Sequence, residues 1–453
     1  MLAAILTVML CLGFSGTALA AGQPLNLGEA MLLALKHNPG LKAAGMTVET
    51  AETEVAKARA RFLPTVNFAE TYSFSNNPTQ VFMNKLNQRV FTQQDFLLNN
   101  LNFPSPLGNF RTGLTVAQPL FQAGEAALGY KQAQLGQEMA GALVLNARQQ
   151  LLFLVTQVYY GLQLAQENLA VIKKAHGTAT EHLKIAESRF RAGSVVQADV
   201  LSSQVHLAKI TQEEMTAASQ VQIARSALGT VVGQPEAGSR TLAPPPKEPA
   251  PFPKEAMEGW QRTAQERRPD LKQLELAARS AQQEVTKARL NYLPRLHMVA
   301  QYDVDQQRLF GSGGDSYTVM ALLHFNLFNG LADLARVRES RAKEAQARNL
   351  QQELEDRIRH QVTEAILNLK TAHERLRVAR TALAQARESL RLIRLRYETG
   401  LTILLDLLTA EDALKSAELS QVGALFDTYL AQAGLELALG TISGPAAVDT
   451  KKK

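Results

Sequence analysis

The sequence predicts a mainly α-helical chain with membrane β-strands, written as an internal duplication. Three observations carry this expectation: one order of motifs occurs twice, two stretches of nearly seventy residues lack proline, and four short segments alternate apolar and polar residues.

The duplication is direct. "HNPGLKAAGMTVETAETEVAKARARFLPTVNFAETYSF", from His37, aligns without a gap to "RRPDLKQLELAARSAQQEVTKARLNYLPRLHMVAQYDV", from Arg267, at an offset of 230. Further on, Leu120-Phe121 matches Leu327-Phe328 and Gly193 matches Gly400, both at an offset of 207. The first half therefore holds 23 extra residues, in the polar, Asn-rich and Pro-rich stretch from Asn77 to Asn109. The expected layout is a leader at 1–20, a first repeat at 21–233, a connector at 234–254, a second repeat at 255–441 and a polar tail at 442–453. The connector holds seven of the seventeen prolines and is expected to be extended.

Each repeat reads as helix, strand, loop, strand, long helix, turn, helix. Pro64 and Pro294 end the first helix of each, because the residue before proline is pushed towards extended conformations. Period two follows, with strands expected at about 65–76, 110–121, 295–305 and 316–327. Phe68, Tyr72 and Phe74 fall on one face with Val66, and Tyr302, Tyr317 and Phe325 recur on the matching face of the other strands. Strands of about ten residues with one apolar side fit the lipid-facing wall of a transmembrane barrel. Four strands cannot close a barrel and lipid does not tolerate open edges, so the chain must oligomerise. Small polar residues on the inner face favour three or more copies around an open lumen over two copies around a filled one.

The long helices are expected from about Gly124 to Ala192 and from about Gly330 to Thr399, each roughly 100 Å at 1.5 Å per residue. Their apolar residues are sparse and spread around the axis, as for a helix packed on both sides with water before and behind it. A periplasmic coiled-coil structural protein explains the helices equally well, but not the strands.

"MLAAILTVMLCLGFSGTALA" has no charged side chain and ends in Ala18-Leu19-Ala20, a secretory leader pattern. Cys11, the only cysteine, lies within it, so the exported chain is expected to offer no disulfide, thiolate metal site or Cys nucleophile. Leu10 before Cys11 argues against lipidation. "QQLLFLVTQVYYGLQLAQ" (149–166) is uncharged, but its counterpart "DRIRHQVTEAILNLKTAH" (356–373) is heavily charged, so neither is expected to span lipid as a helix. The net charge of +6 comes from interleaved signs without a concentrated basic face, and no nucleic-acid partner is expected.

At this point the chain resembles the TolC-like outer-membrane efflux protein family over essentially its whole exported length. The resemblance rests on the duplication, "NPGLKAA" and "RPDLKQL", the junctions "ARARFLPTVNF" and "ARLNYLPRLHM", the junctions "QPLFQAG" and "FNLFNG", and two Gly…Asp-x-Leu turns. It implies a homotrimer with a twelve-stranded barrel in outer-membrane lipid, continuous with a twelve-helix tunnel in the periplasm. It also implies a periplasmic adapter (membrane fusion) protein and an inner-membrane pump as partners. The function implied is a passive exit duct for efflux or type I secretion, with no catalysis and no cofactor; within that class, protein secretion competes with drug or metal efflux.

Both glycine turns then fall at the far end of the tunnel. Gly193 and Gly400 suit the left-handed residue that closes a helix, and Asp199 and Asp406 fall early in the helices that follow, where the dipole favours a carboxylate. The resemblance offers Asp406 as an aperture residue, since three like charges at a narrow ring would discriminate against anions. It adds Tyr397, with Thr402 and Thr409 where some relatives carry charged gate partners. Val195, Val196, Leu201, Ile403, Leu404, Leu405 and Leu408 are expected at adapter-docking tips, as exposed apolar residues mark partner surfaces. Of eight histidines, His297 and His324 fall on the expected lumen face, where polar lining is the default reading and metal binding the alternative. "GSGGD" at 311–315 lies in a hairpin loop, unlike a phosphate loop.

Overall fold

The computed structural model describes residues 24–246, 248–252 and 257–444. The expected leader, with Cys11, and most of the expected tail lie outside them. In chain order the helices and strands are α1 (Leu27–His37), α2 (Pro39–Ala60), β1 (Thr65–Ser75), α3 (Pro78–Asn87), α4 (Leu98–Asn102), β2 (Leu107–Phe121), α5 (Glu125–Arg191), α6 (Gln197–Val232), α7 (Met257–Arg267), α8 (Pro269–Leu290), β3 (Arg295–Gln306), β4 (Gly313–His324), α9 (Ala332–Glu398) and α10 (Leu404–Ala438). They divide into two compact units, one of 43–147 and 268–359, the other within 1–42, 148–267 and 360–453.

The first unit carries the sheet, antiparallel throughout in the order β1-β2-β3-β4. Its register sorts the faces. Phe68, Leu114, Tyr302 and Tyr317 form one cross-strand row, and Asn67, Thr115, Gln301 and Thr318 form the next. Since successive side chains point to opposite sides, the first row belongs to an apolar face and the second to a polar one. Phe68, Tyr72, Phe74, Tyr302 and Tyr317 are all exposed on the apolar face, with Tyr72 4.5 Å from Phe110 between ring centroids. Among the described residues, β1 and β4 have no partner on their outer edges.

Two strands and the insertion differ from expectation. β2 begins at Leu107, because Ser75 still pairs with it. β4 ends at His324, opposite Arg295, where Pro294 brings no backbone N–H to continue the ladder, so Phe325 lies beyond the strand although it is exposed. The Asn77–Asn109 insertion, expected as loop, contains α3, a 3-10 turn (Gln93–Phe96) and α4.

In the second unit, Leu152, Val155, Tyr159 and Leu162 of α5 pack with Ala30 and Ala34 of α1 and with Leu228 and Val232 of α6. The connector is only partly extended: Pro235–Ser239 forms a 3-10 turn, and Leu242 then bridges to Leu25 in parallel fashion. The Tyr159 hydroxyl donates to the Leu25 carbonyl at 2.9 Å, and burial pushes its pKa up to about 12. Ile442 is buried in this core, so the tail expected from residue 442 starts with a core residue. No helix among the described residues is long and apolar enough to cross a membrane.

Candidate gate and docking tips

Both long helices end in the same way. Gly193 (φ 72°) donates to the Phe190 carbonyl and Ser194 to that of Arg189; Gly400 (φ 76°) donates to Tyr397 and Leu401 to Arg396. These are paired Schellman closures, which need a left-handed residue at the glycine position. The following helices begin at Gln197 and Leu404, with Val196 and Ile403 as N-caps that make no side-chain capping bond. Asp199 and Asp406 occupy the first turn in each case, near the positive end of the dipole.

The second tip is the more structured one. Thr402 donates its hydroxyl to the exposed Asp406 carboxylate, and Thr409 donates to the Leu405 carbonyl at 2.8 Å. Tyr397 is half-buried against a cluster of Leu390, Leu407 and Ala410. The Arg189 guanidinium lies 5.2 Å from the Tyr397 ring centroid, a cation–π contact that joins the α5 end to the α9 end.

The expected apolar tip residues separate into two groups. Val196, Leu201, Ile403 and Leu405 are more than half exposed, as is Leu401, whereas Leu404 and Leu408 are buried. Val195 is intermediate. Leu404 and Leu408, with Leu407, face inward at helical spacing, so they hold the hairpin together and offer no surface to a partner.

Above the tips lies a set of charges that sequence reasoning missed. Lys415 of α10 is buried and bonds Glu213 of α6 at 2.8 Å and Asp412 at 3.0 Å; Lys209 reaches Asp412 at 3.2 Å. Burial alone would push Asp412 up and Lys415 down; their mutual bonds, with Lys209 and Glu213, outweigh it and hold Asp412 below and Lys415 above its ordinary value. Glu411 lies 2.6 Å from His182 of α5 and 3.4 Å from Arg394 of α9. Glu418 meets Lys174 of α5 at 3.0 Å. The acids of α10 thus tie it to three other helices. Glu411, Lys415 and Glu418 share one helical face, but their partners lie on distant segments that this spacing does not indicate. His206 is the exception: its burial lowers its pKa despite the nearby Asp412 and Glu411.

His297 and His324 both fall on the polar face of the sheet, opposite Leu322 and Arg295 respectively. They form no metal-holding group, nor does any other set of three His, Cys, Asp or Glu residues among the described residues.

A sheet with lipid-type and polar faces, combined with helical hairpins ending in matched turns, defines a channel protein of the bacterial outer membrane. The model of the family described as "Outer membrane efflux protein" matches residues 31–234 and 260–441, and the chain belongs to that family. It is 27% identical to Protein CyaE of Bordetella pertussis, covering 93% of this chain and 86% of that one. It is 24% identical to the alkaline protease secretion protein AprF of Pseudomonas aeruginosa, covering 92% and 85%. The crystal structure of the Campylobacter jejuni CmeC outer membrane channel shares the fold at a TM-score of 0.79 and 17% identity, covering 92% of this chain and 85% of that one. The protein is therefore an outer-membrane channel that extends into the periplasm, of the kind serving efflux and type I secretion.

Proposed function

We propose that three copies close one barrel by pairing β4 of each with β1 of the next, and that their α5–α6 and α9–α10 hairpins build the periplasmic tunnel. The observation that carries this is the sheet itself: four strands, one apolar face and, among the described residues, two unpaired edges, a state that lipid does not tolerate. The tips dock a periplasmic adapter, which links the duct to an inner-membrane pump. The exposed Val196, Leu201, Leu401, Ile403 and Leu405 supply the apolar contact. Asp406, held by Thr402, lines the narrow end and favours cations there. The duct is passive and catalyses no reaction; the pump supplies the energy.

Protein is the favoured cargo, because two relatives at 24% identity are named for protease secretion, AprF and the Dickeya chrysanthemi PrtF. Small-molecule efflux is the second reading, favoured by the description of the family. Deleting the gene separates them. Loss of specific proteins from the culture supernatant, with unchanged sensitivity to toxic solutes, supports secretion; the opposite pattern supports efflux.

A further inference from the structure

The two hairpins of the sheet are joined very differently. Residues 307–312 suffice between β3 and β4, whereas β1 and β2 are joined by residues 76–106. Ser75 and Leu107 are cross-strand partners, so a tight turn would have closed the first hairpin as well. The additional chain does something other than pair strands.

That chain is built and fastened. The Asn77 side chain accepts from the N–H groups of Thr79 and Gln80 at 3.1 and 3.2 Å to start α3. Phe91 stands edge-on to both Phe82 and Phe96, with centroids 5.0 Å apart in each pair, and Lys85 bonds Asp95 at 2.6 Å. Gln88, itself buried, donates to the Asn109 side chain at 2.7 Å and to the Gly108 carbonyl at 3.0 Å. Asn109 donates onward to Asp305 at 2.5 Å, and Arg111 reaches the same carboxylate at 3.1 Å. Asn109, Arg111 and Asp305 share the polar face with Thr115 and Gln301, so the segment is drawn towards the lumen side. Arg89 then reaches the opposite edge strand, bonding the Asp315 carboxylate at 2.7 Å and its carbonyl at 3.0 Å.

We infer that residues 76–106 are a lid over the outer mouth of the barrel, and that the lids of the three copies meet through Phe96, Leu97, Leu98 and Phe103 to narrow it. This rests on the trimeric reading proposed above. Those four side chains are all more than half exposed, Leu98 and Phe103 by 78% and 79%. In a closed ring, β1 of the next copy pairs with β4, so the next lid rises beside Asp315, where this one is pinned. The apolar cover nearest to each lid is a second copy of the same lid.

The test places a cysteine on the lumen face, Thr115→Cys on a Cys11→Ser background, and labels it from outside intact cells. A small charged methanethiosulfonate is compared with a bulky polyethylene-glycol maleimide, so the periplasmic tip plays no part in access. The lid predicts fast small-reagent labelling in every variant. Bulky labelling is expected to be several-fold slower in the parent than in a variant with 78–104 replaced by two glycines, or in Leu98→Asp/Phe103→Asp, which leaves the sheet intact. Equal bulky labelling in parent and shortened chain overturns the lid while leaving the trimeric duct standing. No small-reagent labelling in the shortened chain removes the open lumen itself, and the lid with it.

Discussion

The Lys415 ammonium and the Glu213 carboxylate lie 2.8 Å apart, a bond that fixes α10 against α6. Lys415→Ala would leave Glu213 and Asp412 facing each other without their shared cation. Both acids keep about a third of their side-chain surface exposed, so the loss is expected on the order of 2 kcal/mol, below that of a fully buried pair. Hydrogen exchange along α6 and α10 is the check: protection falls in both helices, while protection of the sheet is unchanged.

The same cluster sets a pH window. Asp412 is held below its ordinary 3.8, so its contribution is present above that value and is lost as pH falls through its folded pKa; Lys415 is held above 10.5, and its contribution is lost only as pH rises past that. His206, like Asp412, loses stability on acidification, but nearer to neutral pH. Its lowered pKa means that the unfolded chain takes up a proton first, so stability declines as pH falls below 6.5. Thermal unfolding measured between pH 7 and 5 is expected to show this decline in the parent and a flatter profile in His206→Gln.

Gly193 and Gly400 have positive φ and open space where a Cβ would stand. Gly400→Ala therefore meets only backbone strain, a cost of about 1–2 kcal/mol. Gly400→Asn is expected to cost less, because asparagine tolerates the left-handed region. Local amide exchange at 396–406 distinguishes the two variants.

Asp406 is expected to act on ions and leave the fold alone. Asp406→Ala lowers cation selectivity and blockade by multivalent cations in planar bilayers, with the same unfolding profile as the parent. Unaltered reversal potentials would remove Asp406 from the aperture.

Much of this architecture was legible because it is periodic. Period two placed Phe68, Leu114, Tyr302 and Tyr317 on one face, and the register joins them in one row. The paired glycines announced the two turns, since few other residues adopt their φ. α3 was missed although Asn77-Pro78 is a helix-start signal, a capping side chain followed by proline at the first helical position; the polar composition around it hid that signal. "ILLDLL" could not be sorted by hydrophobicity alone. Spacing separates Leu404, Leu407 and Leu408, which turn inward, from Ile403 and Leu405. The charges of Glu411, Asp412 and Lys415 find their partners on α5, α6 and α9, contacts between distant segments that no local pattern reports.

An open-edged sheet in lipid closes only with other copies of itself. Native mass spectrometry of protein extracted from outer membranes in mild detergent measures this directly. Particles of three chains are expected; a stable particle of one or two chains would contradict closure by three copies.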